Sequence, residues 1–166
     1  MKAGVKVTGV KELIQNLERL GGNVQNASVE ALWTAGAHLE GALKEKLSQP
    51  GTGRTYKTGR KGARYATHQA SAPGEPPAVD TDRLRSSVTH NVTGRPGRDL
   101  PDPGGSKTEA KGYVGTNLEI GPYLEFGTSR MKERPWLYPT ITEEATAVAK
   151  LVQNVIKRAI AKAKRR

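Results

Sequence analysis

Glycine and proline decide how this chain can be divided. Nineteen glycines and ten prolines stand among its 166 residues, and most lie between residues 50 and 127. Proline removes a backbone donor and fixes φ, while glycine raises the entropic cost of regular structure. The middle of the chain therefore reads as long irregular segments, with regular helices expected at the two ends. At this length residues 1–166 read as a single domain with one long excursion.

At the N-terminal end, Val5 and Val7 alternate with polar residues as in a short strand. Val10, Leu13, Ile14, Leu17 and Leu20 then share one helical face, and Gly21-Gly22 is expected to end that helix. Asn23 or Asn26 is placed to cap a second helix. Its stripe of Val24, Ala27, Ala31, Ala35, Leu39, Ala42, Leu43 and Leu47 runs up to the stop at Pro50-Gly51. So many alanines allow a neighbouring element to approach closely. The final helix is expected from Pro139 onward, buried along Ile141, Ala145, Val148, Val152, Val155 or Ile156, and Ile160. Glu143 and Glu144 near its start and Lys157, Arg158, Lys162, Lys164, Arg165 and Arg166 at its end suit the helix macrodipole. Residues 157–166 form a basic tail.

Between the helices, residues 49–78 read as a long basic, Gly-rich loop. Arg54, Lys57, Arg60, Lys61 and Arg64 appear there before any acidic residue, with Tyr56 and Tyr65 interleaved. Asp80 or Thr81 can cap one helical turn containing Leu84. Val88, His90 and Val92 then alternate with Thr89, Asn91 and Thr93, as in a strand with one covered face. A second strand over 110–116 is expected to pair with 87–93 in antiparallel fashion, and "GPYLEFGT" to make a short helical or turn segment. The fold class expected is α+β: a small antiparallel sheet packed against two long helices, with a shorter first helix alongside.

Composition excludes several chemistries. There is no cysteine, and His38, His68 and His90 are scattered, so neither a metal site nor any cofactor is expected. Ser86, Ser87, His90 and Asp80 offer nucleophile, base and acid types, but one short segment carries all four, and no enzymatic activity is expected. "MKAGVKVTGV" lacks the apolar run of a signal peptide, and no stretch approaches the roughly 20 apolar residues that cross a bilayer, so no membrane partner is expected. A net charge of +11 points towards an anionic partner or to solvated basic tails.

Residues 122–141, "PYLEFGTSRMKERPWLYPTI", hold many of the few aromatics. Gly127 permits a bend beside Phe126, while Pro135 and Pro139 set the entry to the last helix, the latter at its first position. Tyr123, Phe126, Trp136 and Tyr138 can cluster to brace that helix on the sheet, and Glu125 is near enough to pair with Arg130 or Arg134. A fold-stabilising corner and a contact to another chain fit these residues equally.

That segment resembles the signature of the tailed-bacteriophage minor tail or tail-completion proteins of the neck. The resemblance is carried by Tyr123, Glu125, Phe126, Gly127 and Thr128, followed by Arg134, Pro135, Trp136, Leu137 and Pro139. A second match is "SAPGEPPAVDTDRLRSSV", residues 71–88, where Asp82 stands at a position expected to be glycine in many relatives. The resemblance implies a homo-oligomeric ring, sixfold, between the head-side connector and the tail tube, with a lumen for DNA. Its neighbours would be the head–tail connector and the tail-tube or terminator proteins, and its place the virion. Loop 49–72, through Arg54, Lys57, Arg60, Lys61 and Arg64, would reach a neighbouring subunit, an adjacent ring or packaged DNA, with the basic tail as a second contact. A tail terminator ring is the near alternative, and a DNA-binding accessory protein a more distant one.

Overall fold

The computed structural model describes residues 10–58, 66–95, 97, 100, 103–106 and 109–163. The expected strand at Val5–Val7 lies outside the described residues, as do Arg60, Lys61, Arg64 and Tyr65 and the last three residues of the basic tail.

One helix, α1 (Val10–Lys46), replaces the two expected at the N-terminal end. It passes straight through Gly21 and Gly22. Glycine inside a helix costs about 1 kcal/mol against alanine, but it neither removes a donor nor clashes with the preceding turn as proline does. The glycine pair therefore weakens α1 without ending it. The actual stop comes after Lys46, four residues before Pro50. Buried residues recur along α1 at Ala27, Ala31, Ala35, Leu43 and (just past its end) Leu47.

The excursion is more regular than its composition implies. Strands β1 (Thr55–Thr58) and β2 (Ala66–Gln69) pair antiparallel, Tyr56 opposite His68. Backbone hydrogen bonds, rather than an apolar face, make this ribbon, which is why no periodicity announced it. A short helix, α2 (Arg83–Ser87), leads into β3 (Thr89–Val92). The chain returns through the small pair β4 (Gly105–Ser106) and β5 (Glu109–Ala110) to β6 (Gly112–Gly115). Strands β3 and β6 pair antiparallel as expected, with His90 opposite Val114. One expectation fails here, because β3 is covered on both faces. Asn91 is fully buried, donating to the Leu100 carbonyl at 2.7 Å and accepting from the Gly97 amide. Each polar end of its amide is thus paired, which makes the burial tolerable.

Helix α3 (Ile120–Phe126) follows, and α4 (Leu137–Ala163) closes the described chain. The architecture is α+β: small two-stranded antiparallel sheets with the long helices α1 and α4 packed on them. α1 is the common support, touching β3, β5 and β6 on one side and α4 along its length. The core lies where Leu43 and Leu47 meet Val88 and Trp136, with Leu84, Val114, Leu124 and Leu137 packed around them. The end of α1 thus meets the start of α4, and the two helices run antiparallel. Lys46–Glu143 (3.2 Å) and His38–Glu144 (2.7 Å) tie them together.

Candidate functional site

The corner between α3 and α4 is organised by Glu125. The first four residues of a helix, counted from its cap, lack intrahelical acceptors for their amides. Here they are Trp136, Leu137, Tyr138 and Pro139. The buried Glu125 carboxylate accepts the Trp136 and Leu137 amides at 2.8 Å each and the Tyr138 amide at 2.9 Å. Pro139 has no amide to satisfy. Every unpaired donor at this helix start is accounted for, and a negative charge sits at the positive end of the macrodipole. Glu125 therefore does not pair with Arg130 or Arg134 as expected; three converging amides take its carboxylate, while Arg134 is half-buried against Ser71 and Arg130 is exposed. Pro139 is the third residue of α4, not the first, but still in the turn where proline costs no hydrogen bond.

Arg134 has a different task. Its side chain donates from Nε and Nη2 to the Ser71 carbonyl at 3.3 and 3.2 Å, and its amide to the Leu124 carbonyl at 2.7 Å. The Gly74 amide donates to the Glu133 carbonyl at 3.0 Å. Residues 71–74 and 133–134 are thus stitched together, and the two sequence motifs, about fifty positions apart, form one unit. Glu75 extends the stitching by accepting from the Thr52 hydroxyl, the Ala72 amide (2.8 Å) and the Thr52 amide (3.1 Å). Those bonds, the Thr52 hydroxyl foremost, hold its carboxyl below the usual range. Between Phe126 and Arg134 the chain turns tightly, with Thr128 and Met131 bonded backbone to backbone and Arg130 exposed at the tip. Gly127 takes φ 74°, and a Cβ there would lie 2.8 Å from the Met131 carbonyl oxygen. Asp82 has φ 60°, the left-handed region that glycine enters most cheaply. It, rather than Asp80 or Thr81, begins α2, and its carboxylate takes Arg85 Nε at 2.5 Å and Ser86 Oγ at 3.0 Å. Those two donors, Arg85 first, hold the Asp82 carboxyl low.

The expected aromatic cluster does not form. Trp136 is 1 % exposed and bonds the Gly121 carbonyl through Nε1 at 3.4 Å, whereas Phe126 is 79 % exposed, Tyr138 74 % and Tyr123 54 %. Only Trp136 braces the helix. The other three aromatic rings lie at the surface, with Ile120 half-exposed on α3. Next to this display lies an open groove of about 700 Å³ lined by Leu47, Val79, Leu84, Leu118, Leu124 and Met131, with Arg134 at its wall.

Of the five basic loop residues, Arg54 and Lys57 are described. Both are exposed on or beside β1, and Arg54 stacks over the Tyr56 ring at 5.5 Å. The nucleophile, acid and base types do not converge. Ser86 turns to Asp82 and Ser87 to Thr116 (2.6 Å), while His90 faces α1. There its Nδ1 lies 2.6 Å from Glu40 Oε2, with Trp33 edge-on at 4.4 Å, and its buried Nε2 has no hydrogen-bond partner among the described residues. Burial alone would raise the Glu40 carboxyl, but hydrogen bonds from Lys44 and His90, with their charges, outweigh it and lower it. Glu40 is fifty positions from His90, and no local pattern marked it. Among the described residues no group of three or more His, Cys, Asp or Glu could hold a metal ion, and no helix is long and apolar enough to cross a membrane. No protein-family model, curated protein or solved structure matches the chain.

Proposed function

We propose that this chain is a structural virion protein of a tailed phage, forming a ring in the neck that joins or completes the tail at the head–tail interface and surrounds the DNA passage. The observation that carries the reading is the outward display of Tyr123, Phe126 and Tyr138 on a backbone locked by Glu125 and Gly127. Exposed aromatics on a rigid base are costly in a chain that stays alone, and they are the usual anchors of protein interfaces. The residues that gave the neck-protein resemblance build this corner from two distant segments. The left-handed φ at Asp82 also suits the glycine expected there in relatives.

The partners on this reading are identical copies in a sixfold ring, the head–tail connector on one side and tail-tube or terminator proteins on the other. The mechanism is stoichiometric binding: heterologous contacts close when the rotation per subunit fits the ring. The open groove beside the corner, whose wall mixes aliphatic side chains with Asp80, Arg83 and Glu119, is where an aromatic edge of the next copy would seat.

Sedimentation velocity on the purified chain and on Phe126→Asp/Tyr138→Ser tests the role of the corner. A buried aromatic anchor contributes about 2 kcal/mol or more, so the double variant should associate at least ~30-fold more weakly while keeping its helical content. Rings formed equally well by the variant would remove the corner from the interface. Particles assembled without the chain in their neck would sink the neck assignment itself, and a position capping the tail tube would make it a terminator.

A further inference from the structure

From Ala145 to its end the chain has no acidic residue. The carboxylates of α4, Glu143 and Glu144, lie near its start and are taken by Lys46 and His38 of α1. Beyond them Lys150, Lys157, Arg158 and Lys162 are all exposed, and none has an ion pair among the described residues. Antiparallel packing sends this half of α4 towards the N-terminal part of α1, where Glu30 is already held by Arg95 at 2.8 Å. At 3.6 residues per turn the four cations fall within an arc of roughly 140° and extend along about 18 Å of helix axis.

We infer that this face of α4 is a surface that tracks duplex DNA, through its phosphates and without sequence preference. The choice of duplex DNA as the anion rests on the neck-ring reading; the surface itself is read from charge and exposure. B-form DNA presents about ten phosphates along 18 Å, enough to meet four rigidly spaced cations. An acidic protein partner would call for anchor side chains, yet α4 has no aromatic residue after Tyr138. A lipid surface would need the apolar stripe of α4, but Val148, Leu151, Val152, Val155 and Ile156 are already half-buried. On the excursion, by contrast, Arg54 is engaged with Tyr56.

The test is fluorescence anisotropy of a short labelled duplex of mixed sequence titrated with the full chain across a salt series. Four phosphate contacts predict a logarithmic salt slope near −3.6, about a hundredfold loss of affinity between roughly 50 and 200 mM salt. Lys150→Gln/Lys157→Gln/Arg158→Gln/Lys162→Gln should lose most of that slope, and Arg54→Gln/Lys57→Gln should keep it. Equal slopes for the wild type and the fourfold variant overturn the inference, as does preference for phosphatidylserine vesicles over the duplex. Sedimentation velocity on the same samples separates the two readings. Rings without salt-dependent DNA binding overturn this inference alone; DNA binding lost with the four cations in a chain that forms no ring upholds it and breaks the ring assignment.

Discussion

The two ends of α4 are held by different physics. At its start Trp136 and Thr140 are buried, the free amides are taken by one carboxylate, and the backbone has a single arrangement. From Ile141 to Lys162 no side chain is fully buried, although five large aliphatic residues from Val148 to Ile156 point partly inward. A pair of helices covers only one stripe of each, so the second half of α4 gains stability from partial burial alone. The contrast shows how a chain with few apolar residues divides its labour. Dense anchoring is concentrated at one corner, where side chains must be presented with fixed geometry, and the remainder of the helix is left free to carry charge.

The sharpest way to break that contrast is Trp136→Ala. Removing the largest buried side chain should cost about 4 kcal/mol, and a thermal melt should fall by roughly 10 °C or more. Next is Glu125→Ala, which strands three amides at a buried helix start and should cost about 3 kcal/mol. Glu125→Gln keeps a neutral acceptor and should cost about half as much; equal losses would mean that volume, not capping, explains the position. In the far half Val155→Ala should cost only about 1 kcal/mol, since the side chain is half-covered to begin with. A loss as large as that of Trp136→Ala would refute the division between the two ends.

The smallest effect concerns pH. Glu40 has its carboxyl lowered in the folded chain, so its contribution is present above the ordinary carboxylate range and is lost as pH falls through the depressed value. Urea midpoints should therefore drop for the wild type as pH falls below the ordinary carboxylate range, and Glu40→Gln should flatten that limb. An unchanged acid limb would show that the pairs with His90 and Lys44 add nothing net.

How far this could be read without coordinates depended on the kind of signal. The alanine–leucine stripe of α1, the antiparallel partnership of β3 with β6 and the last helix, expected from Pro139 and beginning two residues earlier, follow from periodicity and punctuation, which are local. Gly21-Gly22 misled because glycine stops a helix only where the chain also finds a better turn, and α1 continues into a stripe that burial rewards. Ribbon β1–β2 was invisible because it is made by backbone pairing without an apolar face. At the corner, the importance of residues 122–141 was legible but their roles were not. Sequence spacing suits Glu125 to an ion pair and the aromatics to one cluster, whereas in the fold Glu125 is a helix cap and three of the four aromatics are exposed.

What the amino-acid order determined alone was that helices occupy the two ends, the α+β class, and a last helix with no acidic residue after Glu144. Only the tertiary structure decided which aromatic is buried, which carboxylate meets which amides, and that residues 71–74 lie against residues 133–134. The physical reason is that propensity and periodicity act within a few residues. Hydrogen-bond satisfaction at a buried helix end is a condition on space, and it can be met only by whatever group the folded chain brings there.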